Sequence, residues 1–415
     1  RADGASQFSE GDKWGYFPSV AAAWRISNED FFGEESFVSN LKLRTSWGAV
    51  GSQAIGPYTT LNLLYSGSTV LGDGLQVNYG PGTRLPQDLK WETSETKNAG
   101  LDLGVLNNKL NMTLDYYVKN TRDLLNTVGL PSSMGYLTSI RNIGGLQNKG
   151  LEIGLDAKLF ATDNFIWDVN FNISANRNKI TKLAEDRDIF GGSVNVNLVQ
   201  DDLNILREGQ PVGRFWGYLE DGYDENGAIV FQDLDNDGVI TNNDKTYIGD
   251  PNPDFIYGFQ SGLTYKNFEF SFFIQGTSGN DIFNINAINN TLDYGIGLNM
   301  PREVYLDHWS PTNTDAKYPL PVLSSNVKAS NRFIEDGSYM RLKNIELAYQ
   351  LEIQQLGLSN LRLYVSGQNL LTFTDYSWWD PEVNSRGGST SVNQGMDYYT
   401  YPTAKSITLG IQASF

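Results

Sequence analysis

The chain has 415 residues, no cysteine, a single histidine (His308) and a net charge of −17 at pH 7. The absence of thiols excludes disulfides and thiolate chemistry, and one histidine argues against a zinc or histidine-based catalytic site. The acidic balance disfavours a nucleic-acid partner. No apolar run approaches the roughly 18 residues that a transmembrane helix needs.

Alternation of apolar and polar residues with a period of two recurs along the chain and predicts about eleven β-strands. In chain order they lie near Trp14–Ile26, Phe37–Val50, Glu92–Val105, Leu110–Leu125, Leu151–Leu159, Trp167–Asn176, Phe255–Tyr265, Phe268–Gln275, Tyr339–Leu351, Leu361–Phe373 and Ser406–Phe415. In the ninth strand the alternation changes phase near Lys343 and Asn344, which predicts a β-bulge or a strand that rises out of the membrane. Several strands exceed the roughly five to six residues usual in globular proteins, and a tilted strand across a bilayer needs about nine to eleven.

The connections alternate between short turns and long loops, the long ones near 51–90, 184–253, 276–337 and 374–405. The polar face of the strands is charged, for example at Arg44, Asp168, Glu269 and Arg362. Long extracellular loops, short turns and apolar residues that alternate with charged ones are typical of an outer-membrane barrel. The sequence therefore predicts an all-β fold, a transmembrane antiparallel β-barrel, over residues 1–415. A soluble β-sandwich or propeller is the alternative.

Eleven strands form an odd number, whereas bacterial single-chain barrels close with an even number. An open sheet in lipid would leave two edges of unpaired backbone groups, each costing several kcal/mol. We therefore expect the chain to be the C-terminal part of a larger barrel that further strands complete.

The segment FQDLDNDGVITNNDK contains the spacing of a calcium-binding loop. A hard cation needs clustered oxygen ligands, and a glycine at the sixth position permits the sharp turn. An EF-hand has glutamate where this loop has its last aspartate, and an acidic hairpin turn is the alternative interpretation. The predicted structural Ca²⁺ ligands are Asp233, Asp235, Asp237, Val239 through its carbonyl, Thr241 and Asp244.

Four tryptophans lie in the long loops and are candidate substrate-binding residues, because flat rings stack on sugars or peptide side chains. They are Trp378, Trp379, Trp309 and Trp216. Loop packing or an aromatic girdle is the alternative interpretation. No pair of carboxylates is singled out by its surroundings, so the sequence predicts no catalytic residue and no enzyme.

Several stretches, in order along almost the whole chain, resemble the SusC/RagA-like family of TonB-dependent outer-membrane transporters, which is found in Bacteroidota. They include GYFPSVAAAWRIS, LKLRTSWGAVG, LKWETSETKNAGLDLG, IGDPNPDFIYGF, SYMRLKNIELAY, VSGQNLLTF and the ending ITLGIQASF. The resemblance implies a plugged barrel of about 22 strands, of which these eleven are half. It also implies that Phe415 is the signal read by the barrel-assembly machinery.

The resemblance further implies a multi-pass outer-membrane protein that imports oligosaccharides or peptides. Its partners would be a SusD-like lipoprotein, the TonB complex acting through the missing N-terminal region, the remaining half of the barrel with its plug, and outer-membrane lipid. The alternatives are a soluble extracellular carbohydrate-binding or hydrolytic β-protein and a passive porin.

Overall fold

One antiparallel sheet of eleven long strands is the largest sheet of the protein. The structure, a computed structural model, describes residues 1–33, 37–183, 187–297, 299–322, 326–351, 360–383 and 393–414. The strands are β1 (Ser19–Arg25), β2 (Val38–Ser52), β3 (Glu92–Val105), β4 (Leu110–Gly129), β5 (Thr138–Ala161), β6 (Phe165–Lys182), β7 (Phe255–Tyr265), β8 (Phe268–Ser278), β9 (Tyr339–Leu351), β10 (Asn360–Thr374) and β11 (Ser406–Ser414).

Each long strand pairs with the strands before and after it in the sequence, so the sheet runs from β1 to β11 without a crossover. Every pairing between consecutive long strands is antiparallel. The predicted number and order of strands are therefore confirmed, as is the all-β class. The sheet is open within the described residues, with β1 and β11 at its edges.

The register brings like side chains into rows across the sheet. Residues that are direct neighbours in one apolar row are Leu43, Leu101, Leu114, Ile153 and Ile173. The adjacent row, on the opposite face, consists of Arg44, Gly100, Asp115, Glu152 and Ser174. In an outer-membrane barrel the apolar face lies toward lipid and the polar face toward the lumen. We use the terms lipid face and lumen face in this sense.

The structure refines the prediction for the first, fifth and ninth strands. The first predicted strand is interrupted at Phe17 and Pro18, and Trp14–Tyr16 pairs separately with Ala2–Gly4. Proline has no backbone N–H to donate, which explains the break. β5 begins at Thr138, whereas the prediction began at Leu151. The first half of the strand was missed because it is rich in glycine and lacks clear alternation. The phase change in β9 is a β-bulge, since the register with β10 shifts between Leu342 and Asn344.

The four long connections, β2–β3, β6–β7, β8–β9 and β10–β11, lie at the same end of the strands, which we call the long-loop edge. The short turns β3–β4, β5–β6 and β7–β8 lie at the opposite end. Three of the long connections, β6–β7, β8–β9 and β10–β11, fold together around one apolar core. Its fully buried members come from all three connections and include Val194, Leu203, Phe215, Phe283, Ile288, Phe333 and Met396. The sequence predicted loops here, and the structure shows a compact layer that we call the loop layer.

The loop layer contains short strands. They are Ile189–Asn195, Gln200–Leu206, Arg214–Tyr218, Glu220–Tyr223, Ile229–Phe231, Lys245–Gly249, Asp281–Asn284, Ile334–Asp336 and Met396–Asp397. The connection between β2 and β3 carries a separate hairpin, Leu64–Leu71 with Gly74–Pro81, and the strand Arg84–Leu85, which pairs with β5.

The helices are short. They are Ile285–Ala287, Ile288–Leu292 and Arg302–Leu306, with 3₁₀ turns at Ile26–Asn28, Asp30–Phe32, Ser132–Met134, Asn242–Asp244, Tyr294–Ile296 and Asn331–Phe333. Among the described residues no helix combines the length and the apolar character that a membrane crossing requires.

Candidate functional site

Arg44 on the lumen face ties three strands together. Its guanidinium donates to Asp102 on β3 at 2.9 Å and to Asp115 on β4 at 2.8 Å. Arg44 reaches β4 because its row neighbour on β3 is Gly100, where an added Cβ would lie 2.6 Å from a carboxylate oxygen of Asp115. The side chains of Arg44, Asp102 and Asp115 are 22–30% exposed, so the network is partly desolvated.

A second network of this kind joins β8, β9 and β10. Arg362 donates to Glu269 at 2.9 Å and to Glu346 at 2.6 Å, and Gln350 also donates to Glu269. Thus Arg44, Glu269 and Arg362, which the sequence placed on the charged face of the strands, form ion pairs within the barrel wall. Asp168, the fourth residue of that set, is exposed on the same face.

Arg341 on β9 anchors the β10–β11 connection to the lumen face. Only 2% of Arg341 is exposed, and its guanidinium pairs with Asp380 and Glu382 from that connection. Asp380 also accepts a hydrogen bond from the backbone N–H of Thr403 at 2.8 Å. Lys343, the residue without a register partner at the β9 bulge, adds a 2.8 Å bond to Glu382. One wall arginine therefore holds both limbs of the connection.

Trp378 and Trp379 lie directly before this anchor and stack on each other, with ring centroids 5.3 Å apart. Trp378 also meets the edge of Tyr399 at 6.4 Å, and Tyr399 meets Tyr398 at 5.2 Å. The four rings come from both limbs of the β10–β11 connection. Trp379 is 57% exposed, so its ring is free to stack on a ligand. We call these four residues the aromatic cluster.

The other two candidate tryptophans lie elsewhere. Trp309 is only 7% exposed and covers Gly227, where a Cβ would come within 2.4 Å of the indole. Trp216 packs edge-on against Tyr247 and stacks under the guanidinium of Arg207 at 4.5 Å. These contacts favour loop packing for Trp309 and Trp216, which was the alternative interpretation. Among the described rings, Trp309 and Trp216 make no contact with the aromatic cluster.

The aspartate-rich loop brings three predicted calcium ligands together. One oxygen from each of Asp233, Asp235 and Asp237 lies within 4.8 Å of the other two. Asp244 instead accepts hydrogen bonds from the backbone N–H groups of Thr241 at 2.7 Å and Leu234 at 2.8 Å. These bonds, the one from Thr241 first, hold the pKa of Asp244 below its usual range. Three clustered carboxylates are a donor set that suits Ca²⁺, and the calcium site stays a prediction.

Sequence reasoning missed the Arg341–Asp380 anchor. Arg341 was part of a strand pattern and Asp380 part of a loop, and nothing in a single sequence relates two positions 39 residues apart. The available signal was the order Trp378-Trp379-Asp380-Pro381, in which a carboxylate follows two large rings.

Residues 1–370 match the family model described as TonB dependent receptor-like, beta-barrel. The chain belongs to the TonB-dependent receptor family. It is 39% identical to a TonB-dependent receptor of Formosa agariphila, with 100% of this chain and 43% of that protein covered. It is 32% identical to the TonB-dependent receptor SusC of Bacteroides thetaiotaomicron, with 100% of this chain and 41% of SusC covered.

Solved structures of the RagAB peptide importer share the receptor fold. One, in a "closed-closed" state, superimposes with a TM-score of 0.84 at 26% identity, covering 100% of this chain and 45% of that chain. This receptor chain thus spans less than half the length of the relatives it matches. The SusC/RagA-like resemblance is confirmed, and so are the outer-membrane location and the expectation that the chain is not an enzyme, because its relatives are receptors and transporters. The family rules out the soluble alternative.

Proposed function

We propose that this receptor chain is the C-terminal barrel half of an active importer of oligosaccharides or peptides. Uptake would be driven by TonB, and a SusD-like lipoprotein would cover the loop layer, which faces the cell exterior. The relatives support the proposal: one is named SusC, and the RagAB peptide importer has been solved in "closed-closed" and "open-open" states. Contact with TonB and a plug would come from the part of the protein beyond this chain.

The observation that carries the proposal is the attachment of the β10–β11 connection to the lumen face. A connection tied to Arg341 stands over the passage, so a solute that enters the barrel from the long-loop edge meets it. The aromatic cluster is part of that connection, and stacked rings bind the flat faces of sugars or the side chains of peptides. We therefore infer that Trp378 and Trp379 contact the solute.

Uptake by intact cells tests the proposal. Cells that express the full-length receptor would be given a labelled neutral hexasaccharide or a labelled hexapeptide, with and without a proton uncoupler. We expect uncoupler-sensitive uptake of one of them, and the Trp379→Ala variant should take it up several-fold more slowly. Phe31→Ala is the matched control, because Phe31 is 72% exposed but lies in a turn at the opposite edge.

Two outcomes would contradict the proposal. Uptake that persists with the uncoupler and follows the concentration gradient would identify a passive porin. Equal slowing by the Trp379→Ala and Phe31→Ala variants would contradict the part of the proposal that places the aromatic cluster in contact with the solute, and active import itself would stand.

A further inference from the structure

A row that contains three basic residues crosses the lipid face. Trp47, Lys97, Val118, Lys149 and Arg177 are successive register partners on β2 to β6. The next row toward the short turns on the same face is apolar and consists of Thr45, Ala99, Tyr116, Leu151 and Ala175. Lys97, Lys149 and Arg177 therefore stand where the apolar band ends on the long-loop side.

The two rows beyond add further cations. Lys179 lies two residues beyond Arg177 on β6 and is the register partner of Gln147 on β5. Arg122 lies four residues beyond Val118 on β4 and is the register partner of Thr93 on β3. The side chains of Lys97 and Arg122 are 65% exposed. The side chain of Arg177 is 58% exposed, and Lys149 and Lys179 are exposed as well. We call the five residues Lys97, Arg122, Lys149, Arg177 and Lys179 the basic belt.

Two carboxylates contact the basic belt within the described residues. Glu95 lies 3.8 Å from Lys97 and 3.2 Å from Arg122, and Asp254 pairs with Arg177. Five cations against two carboxylates leave an excess of three positive charges. This excess stands out in a chain whose net charge is −17. Lys149 and Lys179 have no carboxylate partner in the part of the chain that the structure describes.

The height of the basic belt corresponds to a membrane interface. On β6 the lipid-facing residues from Trp167 to Ala175 are apolar. This stretch rises about 27 Å along the strand and, at a tilt of about 40°, about 20 Å along the membrane normal. Arg177 is the next lipid-facing residue, so it lies near the upper limit of an apolar band about 25 Å tall. Trp47, in the same row, has the position of an interfacial girdle residue.

We propose that the basic belt binds the phosphate groups of outer-leaflet lipids, whose acyl chains lie against the apolar rows below. Ammonium and guanidinium groups at an interface attract anionic headgroups. Small side chains at Ala99 and Thr45 beside Trp47 and Tyr116 leave a shallow apolar groove of about 500 Å³ directly under Lys97. The proposal rests on the proposed function in one respect, namely that the long-loop edge faces the cell exterior.

The occupant is a lipid rather than a protein because of where the cations stand. On each strand the cation is the next lipid-facing residue after the apolar ones. Any group that reaches Lys97, Lys149 and Arg177 together therefore also lies against the apolar band. An acyl lipid with a phosphate headgroup has both chemistries in one molecule. An acidic protein surface has only one of them, and its binding is an outcome of the test.

The test uses the full-length receptor in neutral detergent, titrated with bisphosphorylated lipid A, with the same lipid dephosphorylated, and with inorganic phosphate. Bound lipid would be counted by native mass spectrometry. The variant Lys97→Gln/Lys149→Gln should bind the phosphorylated lipid about 30-fold more weakly than the unmodified receptor, from the loss of two interfacial cations. The control Lys119→Gln/Lys158→Gln removes the same charge from the lumen face and should bind like the unmodified receptor.

Heat-modifiable migration on gels would verify that both variants fold as barrels. Equal affinity for dephosphorylated lipid, equal loss in the lumen-face control, or saturation by inorganic phosphate alone would overturn the proposal. The proposal would also be overturned if the Lys97→Gln/Lys149→Gln variant bound lipid like the unmodified receptor but no longer bound an acidic protein. The uptake assay is separate, so failure of import and failure of lipid binding are distinguishable.

Discussion

At the scale of single residues, Gly100 shows how a missing side chain permits an ion-pair network. Arg44 crosses β3 to reach Asp115 only because Gly100 leaves the space. We expect Gly100→Ala to separate Arg44 from Asp115 and to lower the free energy of unfolding by about 1–2 kcal/mol, since the pair is partly desolvated. Urea unfolding of the receptor in detergent would measure the loss.

Gly262→Ala is the matched control for this prediction. Gly262 lies on the lumen face of β7, opposite Asp168, and a Cβ there would meet nothing within 4 Å. It should therefore unfold like the unmodified receptor. An equal loss in both variants would mean that glycine matters for backbone reasons and not for the reach of Arg44.

The calcium prediction also belongs to single residues. If Asp233, Asp235 and Asp237 bind Ca²⁺, their three oxygens lose their mutual repulsion when the ion enters. We expect Ca²⁺ to slow backbone hydrogen exchange across residues 233–244, and Asp235→Asn to weaken that effect at least tenfold. Asp224→Asn, in a nearby turn of the same layer, is the control. Exchange that does not respond to Ca²⁺ would favour a plain acidic turn.

At the scale of elements, the anchor at Arg341 determines whether the β10–β11 connection stays on the wall. Replacing Arg341 with Met leaves the buried carboxylate of Asp380 without a countercharge, which costs about 3–5 kcal/mol. We expect faster hydrogen exchange in residues 375–383 and 396–404, with the strands themselves unchanged. Lys343→Met removes a more exposed cation that bonds only Glu382 and should have a much smaller effect.

The same anchor predicts that the attachment of the β10–β11 connection to the wall depends on pH. Burial alone would raise the pKa of Asp380, but hydrogen bonds from Arg341 and from the backbone N–H groups of Thr403 and Glu382 outweigh burial and hold the pKa below its usual range. A carboxyl with a depressed pKa stabilises the fold above its ordinary pKa and loses that contribution as the pH falls through the folded-state value. Acid should therefore release residues 375–383 before the sheet opens, and the Asp380→Asn variant, already released at neutral pH, should not respond.

At the scale of the whole molecule, the two faces of the sheet should meet different solvents. Leu155 and Asp156 are neighbours on β5 that point to opposite faces. Spin labels on the receptor in lipid should report oxygen access at position 155 and access to a water-soluble nickel reagent at position 156. Equal access at both positions would contradict a barrel wall between lipid and lumen.

The sequence by itself determined the sheet. Alternation with a period of two is a local property of each strand, and strands that follow one another through short turns pair with their neighbours. The predicted bounds of β3 and β7 are accordingly those of the structure, and the bulge in β9 was visible as a change of phase. The terminal Phe415 lies outside the described residues, so its predicted role stays a prediction.

Only the tertiary structure decided how the long connections fold. Residues such as Phe215, Phe283 and Met396 meet in one core although they belong to three different connections. The tertiary structure also distinguished the stacked pair Trp378 and Trp379, which lies directly before the Arg341 anchor, from the buried Trp309. The physical reason is that contacts between distant segments depend on packing and charge pairing in three dimensions, and neither leaves a period in the sequence.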